Sequence, residues 1–292
     1  KEPCRHLILP TSLLLLISTM YSGSTLRSKS GRFMGAHQKI DRVARKRLAE
    51  VIPPKRYFPD ITDILHFEGK NGPDGIKSKS PSRDEPWHYI DPSDPHDTAL
   101  YGLINDHIVN LTQALYEHND ARAAFEAAWL AHAIVDGLTP AHHYPLSDKI
   151  EELWGHPKEE RTSIRSKNII PGDTRREQVS KNWQYWGAKG VFTSHVMFEF
   201  GIASTITPLR FKGVVPNNNQ LVRLKQEGPI PLLTEAVHKV YELDMYNEFQ
   251  RKGWNRHLAH VARTKLTPII INSVVMAWYY ASERAQAKRD KR

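Results

Sequence analysis

Two histidine–acid pairs, His132–Asp136 and His195–Glu199, lie inside stretches whose apolar residues recur with the period of a helix. A spacing of i, i+4 stacks each pair on one helix face. The first face also carries Phe125 and Trp129, and the second helix carries Phe192, Val196 and Phe200, so both pairs turn towards a core. A desolvated carboxylate is costly unless it is hydrogen-bonded, paired or bound to a cation. The chain must therefore fold so that helices bury polar chemistry and supply it with partners.

Helical periodicity runs through most of the sequence. His37, Ile40, Ala44 and Leu48 share a face, and Pro53-Pro54 stop that helix. A short helix is predicted over Arg56–Phe67, followed by a turn-rich loop from Gly69 to Pro86. Leu100, Leu103, Ile104, Ile108, Leu111 and Leu115 form an amphipathic stripe, and the stripe through Phe125, Trp129, His132 and Asp136 ends by Gly137. Residues 143–176 read as a long polar excursion broken by Pro145, Pro157 and Pro171. Helices are predicted again over Lys181–Ile202, Pro231–Phe249 and Leu266–Gln286. No stretch alternates as a sheet would, so the expectation is an all-α, single-domain multi-helix bundle over residues 25–287. Residues 288–292 would form a frayed basic tail.

Residues 1–24 read as a signal peptide or a membrane anchor. Lys1, Arg5 and His6 precede an apolar run from Leu7 to Met20, with small residues placed for cleavage after Ser24. The expected location is secreted or extracytoplasmic, with membrane anchoring if the segment stays attached. The single cysteine, Cys4, excludes an internal disulfide framework and a cysteine-based metal site. A net charge of +9 favours anionic partners such as phospholipid surfaces or nucleic acids.

Twelve of the 15 histidines fall into two sets. His66, His96, His107, His118, His238, His257 and His260 show no metal-ligand pattern and read as ordinary core or surface residues. His37 and His88, each taken alone, also read as satisfied core histidines, and a single i, i+4 pair is more often a local hydrogen bond than a metal site. Two core-facing pairs plus His142, ten residues after His132, shift the balance towards a cluster with zinc-type ligands.

At this point the sequence resembles the zinc-dependent phospholipases C and the related single-strand-specific zinc nucleases. The family motif is a helical His-x-x-x-Asp, then Pro and a His ten residues after the first. His132-Ala-Ile-Val-Asp-Gly-Leu-Thr-Pro-Ala-His142 reproduces it. His195–Glu199 is similar to the phospholipase form of the next motif, where the nucleases carry Asp. Trp87-His88-Tyr-Ile-Asp-Pro resembles the family's aromatic-rich His segment, and the helix around His37 resembles its first helix. The likeness spans roughly Gly35 to Gly201. The chain departs from the family in having no Trp upstream of His37 and in placing 53 residues between His142 and His195.

The resemblance implies two to three Zn2+ ions. One would take His88, His132, Asp136 and an upstream aspartate. A second would take His142, His195 and Glu199. The third would take His37, with Asp136 bridging, and the backbone of the processed N-terminal residue, Thr25 if cleavage follows Ser24. Asp74 fits the upstream position best, with Asp60 and Asp63 as alternatives, and would also act catalytically on the attacking water. The implied activity is phospholipase C-like cleavage of a phospholipid head group at a membrane surface. Trp87, Tyr89 or Tyr144 could hold the head group, although each is equally well placed as core filling. The alternatives are a zinc nuclease or 3′-nucleotidase acting on nucleic acid, and a non-catalytic helical envelope protein.

Overall fold

A computed structural model of the chain describes residues 35–68, 71–77, 88–157 and 160–291. The segment 1–24, expected as a signal peptide or anchor, lies outside the described residues, as do Thr25 and Trp87. Among the described residues the chain is all-helical, with no strand. The helices are α1 (Ala36–Val51), α2 (Ile61–His66), α3 (Pro73–Lys77), α4 (Ala99–Glu117), α5 (Asp120–Gly137), α6 (Leu146–Trp154) and α7 (Ile164–Asn168). They continue with α8 (Arg175–Trp186), α9 (Val191–Ile206), α10 (Asn218–Glu227), α11 (Pro229–Tyr241), α12 (Met245–Lys252), α13 (Arg256–Val261) and α14 (Thr267–Arg289). None of them is long and apolar enough to cross a membrane.

The main core is built where α14 lies against α1, α4 and α5. Trp278 of α14 is fully buried there, and its indole N–H donates to the Ala127 carbonyl at 3.0 Å, so its polar edge is satisfied. Where α4 meets α5, Leu100 packs onto Gly137, and a Cβ there would stand 2.6 Å from Leu100 Cδ2. A second, smaller core joins Leu146, Ile150, Ile170, Tyr185, Phe192 and Val196. It unites α6 and α8 with α9, the helix that carries the second histidine–acid pair.

Several sequence expectations need correction. The helix expected over Arg56–Phe67 is only Ile61–His66, because Pro59 fixes an extended entry and the Arg45 guanidinium occupies the carbonyls of Phe58 and Pro59 at 3.2 and 2.7 Å. The polar excursion carries α6, α7 and the start of α8. The helix expected over Lys181–Ile202 is two helices, split by Gly187–Gly190, where a Cβ on Gly190 would overlap the Tyr185 carbonyl oxygen. The segment expected as one helix over Pro231–Phe249 breaks at Asp244, whose φ of 49° is left-handed, and α10 precedes it with an Asn217–Gln220 capping box. The basic tail is not frayed as far as Arg289: Lys288 Nζ donates to Gln113 Oε1 at 2.9 Å and Arg289 to the Leu115 carbonyl.

A candidate metal centre around Asp136

Asp136 sits in the last turn of α5, 2 % exposed, and four imidazoles from different parts of the chain converge on its carboxylate. On Oδ1, His37 Nε2 stands at 3.3 Å and His142 Nε2 at 3.6 Å. On Oδ2, His88 Nδ1 stands at 2.9 Å and His132 Nε2 at 3.2 Å. His37 arrives from α1, and His132 from one turn earlier on α5, its ring stacked on that of His37 at 4.0 Å.

His142 reaches the cluster because α5 ends abruptly. The Thr139 hydroxyl donates to the Val135 carbonyl at 2.7 Å, its N–H to the Asp136 carbonyl at 2.9 Å, and Pro140 opens a 3-10 turn over Pro140–His143. That turn is strapped to the His88 segment from both sides. His142 Nδ1–H donates to the His88 carbonyl at 2.9 Å, and Ile90 N–H donates to the His142 carbonyl at 3.1 Å. Tyr89 stacks on the His142 ring at 4.6 Å.

The second pair completes the arrangement. Glu199 Oε1 lies 3.1 Å from His142 Nε2 and 3.2 Å from His195 Nε2. His142 therefore joins two groups, one around Asp136 and one around Glu199. Asp74 Oδ1 is 3.7 Å from His132 Nε2 and largely buried, and its group with His37 and His132 has cation-binding spacing. Asp60 is 84 % exposed beside Arg45, and Asp63 is exposed on α2, so neither alternative reaches the cluster.

The ring tautomers test whether a cation fits. A carboxylate accepts the His132 Nδ1–H at Glu68 Oε1, 3.0 Å away, which leaves the Nε2 lone pair of a neutral His132 aimed at oxygens of Asp136 and Asp74. His142 repeats the pattern: Nδ1–H is spent on the His88 carbonyl, and Nε2 faces Glu199 and Asp136. A lone pair facing buried oxygens at these distances is repulsive unless a proton or a metal ion lies between. Ligands about 2.05 Å from a tetrahedral zinc stand roughly 3.3 Å apart, and the separations here run from 2.9 to 3.7 Å. The described residues offer three such groups, His37–Asp74–His132, His88–His132–Asp136 and His142–His195–Glu199.

Without a cation, protons do this work. Burial alone would raise Asp136, but His142, His132 and the hydrogen bonds from His132 and His37 hold it well below the usual carboxylate range. Glu199 is held down in the same way, with burial outweighed by His195 and His142. For His132 burial favours the neutral ring, yet Glu68, Asp136 and Asp74 together push it well above its ordinary value. Metal binding must displace such protons.

Three residues that spacing arguments passed over belong to this neighbourhood. Glu68 contacts His132 across 64 positions from a loop, with no periodic signal. Asp41 could have been found, since His37–Asp41 repeats the i, i+4 spacing of the other pairs. It is buried, neither carboxylate oxygen has a hydrogen-bond partner, and burial followed by Glu68 pushes it well above its usual range. His143 lines a cleft of about 400 Å³ beside the cluster, with Tyr89, Asp91, His142, Tyr144 and Asp148. Its Nε2–H donates to the Gly137 carbonyl at 2.8 Å, and burial pushes the ring down to about 4.

His107 answers to the ordinary reading: its Nδ1 pairs with buried Glu126 at 2.6 Å, outside the three candidate ligand groups. Comparison with known protein families, curated proteins and solved structures finds no match for the chain. The buried His/Asp/Glu groups can hold metal ions, and this rests on geometry alone.

Proposed function

We propose that the chain is a zinc-dependent phosphodiester hydrolase that releases a phosphorylated head group from a phospholipid, as the sequence resemblance implies. The observation that carries the reading is His142 Nε2, which stands 3.6 Å from Asp136 and 3.1 Å from Glu199 and so ties two ligand groups into one cluster. Zinc ions held by these groups would supply Lewis-acid polarisation of a phosphoryl oxygen and a water acidic enough to ionise near pH 7.

The chain's own residues do the rest. Asp136 gathers four imidazoles and holds the two groups in register. Glu68 and the His88 carbonyl fix His132 and His142 in the tautomer that presents Nε2. Asp74, 3.7 Å from His132 Nε2, would be the carboxylate that orients and deprotonates the attacking water. Beside the cluster, the cleft wall carries Asp91, Asp97 and Asp148 with Tyr89 and Tyr144. An acidic and aromatic wall disfavours a polyanionic strand and suits a single phosphodiester whose far end is cationic. This favours a phospholipid over nucleic acid.

The test is metal analysis followed by two assays. The purified chain should carry two or three zinc ions, cleave a chromogenic phosphocholine ester, and lose that activity to a chelator. Cleavage of single-stranded DNA alone would transfer the site to the nuclease reading. Fewer than two ions and no hydrolysis would leave the non-catalytic helical protein.

A further inference from the structure

The most exposed large apolar side chains of the described residues stand together. On α8, Val179 is 70 % exposed and Trp183, one turn further on, is 69 % exposed. Tyr185 and Trp186 anchor α8 instead, their rings against Phe192 of α9 at 5.4 and 4.9 Å. The stripe is edged by Arg175 and Arg176, one turn towards the N-terminus, both exposed and neither in an ion pair among the described residues. Exposed Arg165 and Lys189 are likewise unpaired. The helix's other cation, Lys181, points away and is neutralised by Glu177 at 2.9 Å.

A soluble surface gains nothing from presenting a tryptophan beside a valine, and such patches mark binding faces. Indole rings favour the boundary between water and acyl chains, and arginines just above it pair with lipid phosphates. We infer that the Val179–Trp183 face of α8 is a docking surface for an anionic lipid bilayer. Trp183 and Val179 would enter the interface, with Arg175 and Arg176 on the phosphates. The face lies one helix layer from the metal cluster, since α8 packs on α9 and α9 carries His195 and Glu199. In this role the face rests on the phospholipid reading of the cluster, while lipid binding itself can be measured apart from hydrolysis.

The experiment uses the full chain with Cys4→Ser and a polarity-sensitive dye on Val179→Cys. The reference position is Val222→Cys, on the exposed face of α10. Mixing with vesicles of zwitterionic lipid containing anionic lipid should blue-shift the dye at position 179 and leave position 222 unchanged. Replacing both Arg175 and Arg176 by Ala should weaken the titration about 25-fold, at about fivefold per cation. The shift should also vanish with purely zwitterionic vesicles. Trp183→Ala should lower hydrolysis of vesicle lipid while leaving hydrolysis of a water-soluble phosphocholine ester unchanged. A shift on vesicles without any hydrolysis would keep the docking face and discard the phospholipase reading. Hydrolysis of the soluble ester with no shift at position 179 would do the reverse. An equal shift at both positions, or a shift produced by single-stranded DNA or a protein and not by vesicles, would overturn the docking face.

Discussion

The cluster has two halves that are held by different physics. His132, Asp136, His195 and Glu199 ride on α5 and α9, helices whose register is set by core packing along their length. Glu68, Asp74 and His88 come from short elements between α2 and α4, and they are placed by contacts to the helix-borne half itself. The helical half is a preformed scaffold. The loop half takes its position from the imidazoles and carboxylates it meets, so a bound metal ion should matter far more to it.

The largest effect is expected where both halves meet. Asp136→Asn removes the charge on which four imidazoles converge. Zinc content should fall below two ions per chain, with activity reduced beyond the roughly 10–100-fold typical of outer-shell changes. Zinc content measured by elemental analysis and found unchanged would break the assignment of Asp136 as the shared ligand.

Glu68 tests the loop half alone. Glu68→Ala leaves the His132 Nδ1–H without its acceptor, and zinc affinity should drop about 10–100-fold in competition with a chelating indicator. Glu68→Gln keeps an acceptor and should lose less. Equal losses for the two variants would mean that Glu68 acts through packing rather than through the ring nitrogen.

The helix-borne members of the cluster are legible because a four-residue spacing on an apolar face is a local pattern. His88 and Asp74 were reached only by resemblance, since nothing local distinguishes Asp74 from Asp60 or Asp63 until burial separates them. Glu68 carries no signal at all: its contact with His132 spans 64 positions. The fold class followed from periodicity. Helix ends did not, because the breaks at Gly187–Gly190 and Asp244 are set by close backbone approach and a left-handed residue within otherwise helical stretches.

The halves should also separate by pH. Asp136 and Glu199 have depressed folded values, so their stabilisation is complete above the unfolded carboxylate value of about 4 and is lost as pH falls through the folded values. His132 is raised, so its contribution is complete below about 6.5 and is lost as pH rises through its folded value. The metal-free chain should therefore be most stable between about pH 4 and 6.5. Zinc needs unprotonated ligands, so the gain in melting temperature on adding zinc should be small at pH 5 and large at pH 8. A gain independent of pH would show that these protons are not the ones displaced.

Within the helical half, Gly201→Ala probes the scaffold without touching a ligand. A Cβ there would overlap the Trp254 indole, and overpacking of this kind costs about 1–3 kcal/mol. The expected result is a lower melting temperature for the metal-free chain with zinc stoichiometry retained. Loss of stoichiometry would show that α9 needs its register fixed more tightly than a preformed scaffold implies.

The smallest effect, and the one that cuts across the comparison, is expected at Asp41. It lies on a helix with the spacing of a ligand, yet it shows none of the contacts of one: its oxygens are buried without hydrogen bonds. Burial and the neighbouring Glu68 raise its folded value, so whatever stability it contributes is complete below about 4 and is lost as pH rises through that value. Near neutral pH the carboxyl is either protonated at a cost or charged at a cost. Asp41→Asn removes the titration at nearly constant volume. The metal-free variant should match the parent at pH 4 and melt slightly higher at pH 8, with zinc content unchanged, by calorimetry and elemental analysis. A lower melting temperature at pH 8 together with lost zinc would place Asp41 among the ligands, and His37–Asp41 would then be a third working pair beside His132–Asp136 and His195–Glu199.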